Sequence, residues 1–328
     1  MFSLAGHKIL VAGIANRDLI AWGCARAFRA QGADLAITWA NGKAEPHVRP
    51  LGEELGAEIL LPMDVADPVQ IKAVFDKISG RWGRMDGLLH SIAFAPRADL
   101  HGRVVDSSSD GFALAMDISV HSFLRMIQQA EPLMDRGGCC LSVSFFGSER
   151  VVRHYNIMGP VKAALESATR YAAAELGEKG IRVHALSPGP LATRAASGID
   201  HFDELLDTAA QRAPTHQLAT IEDVGAMAAF LASDAARNLT GGVHDIDGGF
   251  SITARGIKPW QTCLKFWTRA SRAASCVRKR MQSTSCKPIC PARGAKSAPF
   301  RARRTSGPQR RRNTNTASWK TIPAAPAI

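Results

Sequence analysis

The stretch Lys8-Ile9-Leu10-Val11-Ala12-Gly13-Ile14-Ala15-Asn16, with the segment 20–31 behind it, decides the fold. Residues 8–11 form a short apolar run of strand type, and 20–31 carry apolar residues at helical spacing. Residues 11–16 lead from one to the other, and Gly23 sits one turn into the helix. A glycine at such a turn lets the backbone approach a pyrophosphate, which the helix N-terminus then stabilises. The stretch has no GxGxxG pattern, so a strand-to-helix turn without a ligand fits it as well.

The same grammar repeats outward from this unit. Short apolar runs at 35–38, 59–61, 88–91, 140–144, 183–187 and 243–246 predict further strands. Helical patterns lie between them at 69–82, 111–134, 161–176 and 222–233. Thr220 with Asp223 three residues later resembles a capping box. Alternating strands and helices, with strands apolar throughout, predict an α/β fold: a doubly wound parallel sheet of Rossmann type. Its site is expected at the carboxyl ends of the strands.

This pattern stops near residue 254. Of 41 Lys and Arg residues, 18 lie after Phe250, where there is no Asp or Glu. The first 250 residues therefore hold 23 basic and 29 acidic residues, a net charge of −6. We expect a Rossmann-type domain over 1–254 and a basic tail over 255–328. So many like charges over little apolar surface favour a disordered tail, including one produced by frameshift or read-through. An arm for nucleic acid or a membrane surface is the sharper alternative. No apolar run reaches the roughly 18 residues of a membrane span. The N-terminus lacks a signal-peptide pattern, which makes a cytoplasmic location the expectation. Cysteine usage suggests a reducing compartment without a disulfide framework, and no zinc-like spacing is present, so no metal is expected.

Three further segments carry chemistry. Asp64-Val65 follows the third strand, where a carboxylate could accept from an adenine amino group. His90-Ser91-Ile92-Ala93 ends the fourth, and its small residues leave room for a ribose and nicotinamide. Each also fits a simple strand end. The strongest is Tyr155-Asn156-Ile157-Met158-Gly159-Pro160-Val161-Lys162. Seven residues are about two helical turns, so Tyr155 and Lys162 are expected on one helix face. An ammonium favours the phenolate and so sharpens a phenol as donor. A helix start with a solvated lysine is the plainer reading.

Taken in order, several motifs resemble one family. They are Gly13-Ile14-Ala15-Asn16, Asp64-Val65, His90-Ser91-Ile92-Ala93-Phe94-Ala95-Pro96, Asp117-Ile118-Ser119 and Phe146-Gly147-Ser148-Glu149-Arg150. Tyr155-Asn156-x-Met158-Gly159-x-x-Lys162-Ala163, Ala195-Ala196-Ser197-Gly198-Ile199 and Asp247-Gly248-Gly249-Phe250 complete the set. The chain is similar, over residues 3–253, to the NADH-dependent enoyl-acyl carrier protein reductases of bacterial fatty-acid synthesis. These are short-chain dehydrogenase/reductases. Most other members of that superfamily use Tyr-x3-Lys, so the wider spacing sets this branch apart.

The resemblance implies hydride transfer from the cofactor to the β-carbon of a trans-2-enoyl thioester. It casts Tyr155 as hydrogen-bond donor to the thioester oxygen and Lys162 as holder of the nicotinamide ribose. Cofactor contacts are implied for Gly13, Ala15, Leu19, Ile20, Asp64, Val65, Ser91, Ala93, Lys162, Pro190, Leu191 and Ala192. An acyl surface is implied at Phe145, Met158, Ile199, Phe202 and Leu205, with a mobile lid after Gly189. Relatives are homotetramers. Two positions depart from the family: Phe145 stands where relatives carry a second tyrosine, and Leu19 replaces a serine of the phosphate-binding turn.

After the lid, the run Asp200-His201-Phe202-Asp203-Glu204 would repel an acidic carrier protein. The thioester carrier is therefore open between CoA and acyl carrier protein. Thr38-Trp39-Ala40-Asn41-Gly42-Lys43 has no Arg-Lys pair for a 2′-phosphate and no acid for a bare ribose. NADH is the expectation, and Lys43 keeps NADPH open. The competing classes are a carbonyl reductase of the same fold, a non-catalytic dinucleotide-binding module, and a nucleic-acid binder driven by the tail.

Truncation after Ala254 is expected to leave fold and reductase activity intact or improved, and limited trypsin digestion to stop at such a core. A tail as resistant to trypsin as the core, or a truncation that unfolds the protein, would contradict this.

Overall fold

Neighbouring residues of the central strands point to opposite faces of the sheet, and both faces are apolar. Leu10, Ala12, Ala36, Leu88, Cys140 and Val183 join one buried cluster. Ile9, Val11, Leu35, Ile37, Leu89, Cys139 and Leu141 join another. Such strands need a layer of helices on each side. The computed structural model describes residues 2–191 and 202–253, with 202–205 as backbone only. The chain divides into two units, Met1–Ile257 and Lys258–Ile328, and every described residue belongs to the first. The expected tail lies outside the described residues.

The elements run β1 (Lys8–Ala12), α1 (Ile20–Ala30), β2 (Asp34–Trp39), α2 (Glu45–Glu54), β3 (Ile59–Pro62), α3 (Pro68–Trp82), β4 (Gly87–His90) and α4 (Arg97–Leu100). They continue with α5 (Ser109–Met116), α6 (Ser122–Ala130), β5 (Gly138–Val143), α7 (Met158–Leu176), β6 (Ile181–Pro188), α8 (Phe202–Arg212), α9 (Ile221–Ala232) and β7 (Val243–Ile246). The strands pair in parallel in the order β3-β2-β1-β4-β5-β6-β7. Strand order reverses between β1 and β4, which creates the crevice where such sheets bind ligands. Among the described residues, no helix is long and apolar enough to cross a membrane.

Thr220 and Asp223 do form a capping box at the start of α9. At the other end of that helix, the buried guanidinium of Arg182 on β6 donates to the carbonyls of Leu231, Ala232, Ser233 and Ala236. It ties β6 to the last carbonyls of α9 and to those of the turn just beyond it.

One expectation needs correction. Residues 111–134 are not one helix: a π-helical turn at Asp117–His121 separates α5 from α6. The inserted turn keeps the apolar stripe on both sides, so the periodicity does not reveal it. Gly23, early in α1, serves helix packing. A Cβ there would lie 2.3 Å from the Ile221 carbonyl oxygen, and one on Gly225 would lie 2.5 Å from that of Gly23. These glycines let α1 and α9 touch through their backbones.

Gly225→Ala tests this crossing. Alanine improves helix propensity by about 1 kcal/mol. The obstructing atoms are backbone, however, so overpacking of about 1–3 kcal/mol should prevail. We expect a lower urea midpoint; a raised midpoint would show that the helices separate freely.

Candidate active site

The crevice is built first from glycine and helix geometry. Gly13 ends β1 with φ +111°, and a Cβ there would stand 2.1 Å from the Ser91 carbonyl oxygen. Close approach of the β1 and β4 ends therefore requires a glycine here. Leu19 occupies the N-cap of α1 and offers no side-chain cap. The first amides of α1 are left to a ligand or to water, on the positive end of the helix dipole. Ala15 is exposed beside this end, and Ile20 is half-buried against the core.

The π-helical turn ties two of the expected cofactor segments together. Ser119, fully buried, accepts from the Phe94 amide at 2.9 Å and donates to the Phe94 carbonyl at 3.1 Å. That fixes the chain just after Ser91 and Ala93, of which Ser91 is half-buried and Ala93 exposed. Arg125 donates to the Val65 carbonyl at 2.7 Å and to Asp117 at 2.6 Å. The guanidinium holds the Asp117 carboxyl below the usual carboxylate range. Asp64 is exposed, and one of its oxygens accepts from its own turn, the Ala66 amide, at 2.9 Å. None of these links was read from the sequence.

The placement of Tyr155 and Lys162 differs from expectation. Helix α7 starts at Met158, so Tyr155 lies in the turn before it and not two turns along one helix. His154 and Asn156, on either side, have φ of +63° and +42°. Asn156 Nδ2 donates to the Leu100 carbonyl, which pins the turn to the segment after β4. The half-buried Tyr155 ring packs tilted against that of Phe145, with ring centres 4.8 Å apart. A Cβ on Gly147 would reach it at 2.7 Å. Burial pushes the phenol above the usual tyrosine range, and the Glu166 carboxylate pushes the same way. Tyr155 is thus a neutral phenol, the hydrogen-bond donor expected, but burial and Glu166 set its proton affinity rather than the ammonium.

Lys162 is buried, with Nζ donating to the Val143 carbonyl at 2.7 Å. Burial pushes its ammonium down to about 8, while Glu166 opposes that shift. Glu166 lies one turn further along α7, buried, and accepts from Ser144 Oγ at 2.5 Å. His90, at the end of β4, is driven down to about 3 by burial and then by Lys162, so it is neutral. Its Nε2 lies 2.7 Å from Ser122 Oγ, which donates to the Ile118 carbonyl. The network therefore assigns the ring proton to Nε2. Sequence reading passed over Glu166, although a carboxylate four residues after Lys162 on an apolar stripe is a usable signal.

The remaining expected positions are mixed. Pro190 and Leu191 are buried just beyond β6. Met158 is buried among core residues beside Tyr155. Ala192 and Ile199 lie outside the described residues, and Phe202 and Leu205 are described only as backbone of α8. Lys43 is exposed after β2, and Trp39 carries the Arg49 guanidinium 5.2 Å above its ring.

A dinucleotide fits this edge on structural grounds. The α1 N-terminus is uncapped, the residues at 15 and 93 are small and exposed, and the buried Lys162 ammonium sits at the end of β5. The comparisons agree. A family model described as enoyl-(acyl carrier protein) reductase matches residues 13–251. The enoyl-[acyl-carrier-protein] reductase [NADH] of Haemophilus influenzae is 46% identical over 254 residues, covering 77% of this chain and 97% of the relative. The crystal structure of the Aquifex aeolicus enoyl-[acyl-carrier-protein] reductase (NADH) matches with a TM-score of 0.75 and 41% identity, over 78% of this chain and 99% of that one. That of the Anaplasma phagocytophilum reductase in complex with NAD matches with a TM-score of 0.75 and 40% identity, over 79% and 98%. With a crevice of this geometry and relatives matched over nearly their whole length, the chain belongs to the enoyl-acyl carrier protein reductase family.

Proposed function

We infer that this chain is an oxidoreductase that reduces the carbon–carbon double bond of a trans-2-enoyl thioester with NADH, the step required in fatty-acid synthesis. The observation that carries this reading is a neutral, half-buried Tyr155 against Phe145 and a buried Lys162 on the Val143 carbonyl, both at the carboxyl end of β5. Bound NADH supplies the hydride that reaches the β-carbon. Tyr155 donates a hydrogen bond to the thioester oxygen, where negative charge develops, and so stabilises the transition state. Its raised proton affinity keeps the donor protonated throughout the neutral range. Lys162 holds the nicotinamide ribose hydroxyls.

The α1 N-terminus with Gly13, Ala15, Leu19 and Ile20 takes the pyrophosphate. Without a serine at position 19, the backbone amides carry that contact. Asp64 and Val65 take the adenine, Ser91 and Ala93 line the nicotinamide side, and Pro190, Leu191 and Ala192 close it. Phe145 keeps the aromatic wall against Tyr155 without adding a hydroxyl. Met158, Ile199, Phe202 and Leu205 complete the acyl surface. The reductase domain spans 1–254, with 255–328 as an appended basic tail. Exposed apolar residues on α5 and α7, Phe112, Leu114 and Tyr171, supply surface for a homotetramer. A cytoplasmic enzyme fits this role.

Two substitutions test the roles. Tyr155→Phe should cut kcat by about 100- to 1000-fold and leave NADH affinity nearly intact. Lys162→Ala should weaken NADH binding as well. Near-normal turnover of a saturating enoyl thioester by Tyr155→Phe contradicts the assignment. Comparing enoyl-CoA with an enoyl-acyl carrier protein reads the carrier. The acidic run at 200–204 favours CoA, and replacing Asp203 and Glu204 by Lys should raise kcat/KM for the protein-borne substrate, most at low salt.

A further inference from the structure

Glu166 is a buried carboxylate that takes part in none of the ion pairs of the described residues. Its hydrogen-bond partner is Ser144 Oγ at 2.5 Å. Lys162, one turn earlier on α7, donates to the carbonyl of Val143, the residue before Ser144. The two head groups thus grip consecutive residues at the end of β5. A carboxylate held by one neutral hydroxyl is a costly thing to bury without a charge to answer it.

We propose that Glu166 is a positioning residue for cofactor binding: the internal counter-charge that lets Lys162 remain an ammonium inside the seam between α7 and β5. The inference rests on the assignment of Lys162 to the cofactor ribose.

The surroundings of Lys162 leave this task to Glu166. His90 faces it from β4 and is neutral. Tyr155, from the turn before α7, is a neutral phenol. From β5 come the Val143 carbonyl and the Ser144 hydroxyl, both uncharged. Asp117 and Arg125, on the helix stretch across from α7, neutralise each other at 2.6 Å. Burial lowers the proton affinity of Lys162 to about 8, and the one carboxylate acting against that is Glu166. An ammonium with that affinity is charged below pH 8 and loses its proton above it. NADH affinity should follow the same limb. Removing the Glu166 charge moves the limb to lower pH.

The test is NADH binding to the full chain by fluorescence, from pH 6 to 9.5 at constant ionic strength. Glu166→Gln keeps the shape and still accepts from Ser144, so it removes the charge alone. Wild type should lose affinity above about pH 8. Glu166→Gln should bind nearly as wild type does at pH 6, with its limb about one pH unit lower and binding at pH 8 about fivefold weaker. Glu166→Asp draws the charge back by one methylene, should move the limb less in the same direction, and carries the test if the Gln variant does not fold. A loss of affinity equal at every pH marks a merely structural role and overturns the proposal, as does an unmoved limb. Lys162→Ala should weaken binding and flatten the limb. Normal NADH binding by that variant would remove the lysine's assignment itself, whatever the Glu166 profiles show.

Discussion

Seating an ammonium in the seam between α7 and the end of β5 is the constraint on which the site depends. Moving a charge out of water costs several kcal/mol even after relaxation, unless partners answer it. Lys162 finds the Val143 carbonyl at 2.7 Å and the field of Glu166. Those contacts fix the rotation of α7 about its axis, because 162 and 166 share one face. Once that face is set, the turn ahead of α7 is aimed as well, and Tyr155 sits at the crevice rather than inside the core.

The rest of the fold supports this placement from a distance. Paired Gly23 and Gly225 bring α9 onto α1 and steady its uncapped N-terminal end. Inserting a π-helical turn re-aims Ser119 and Asp117, so that one short segment holds both Phe94 and, through Arg125, Val65. Asn156 then links the tyrosine turn to Leu100. Backbone segments from three strand ends, those of β3, β4 and β5, are thereby locked together. The left-handed His154 and Asn156 are the cost of presenting Tyr155 from a turn.

The architecture was legible because parallel strands buried on both faces read as unbroken apolar runs. All seven strands were visible, to within a residue or two at their ends. Helix α2 was not, since Pro46 and Pro50 interrupt a largely polar sequence. The packing role of Gly23 was not legible either, since a glycine early in the first helix does not name the helix that comes against it. Spacing alone brought Tyr155 and Lys162 together but put both on one helix, because a turn of two left-handed residues has no periodic signature. Electrostatics was least legible. The sequence showed the ammonium near the phenol, whereas the burial of both groups and the Glu166 charge that raises the phenol emerge only from packing.

Transfer of deuterium from NADH labelled at the nicotinamide C4 tests the account most directly. With a trans-2-enoyl-CoA substrate, mass spectrometry and NMR of the product locate the label. If Tyr155 stabilises charge on the thioester oxygen while hydride goes to the double bond, the deuterium must appear on the β-carbon and a solvent proton on the α-carbon. Deuterium on a carbonyl carbon of an alternative substrate, with no label entering the enoyl chain, would instead mark a carbonyl reductase and contradict the account.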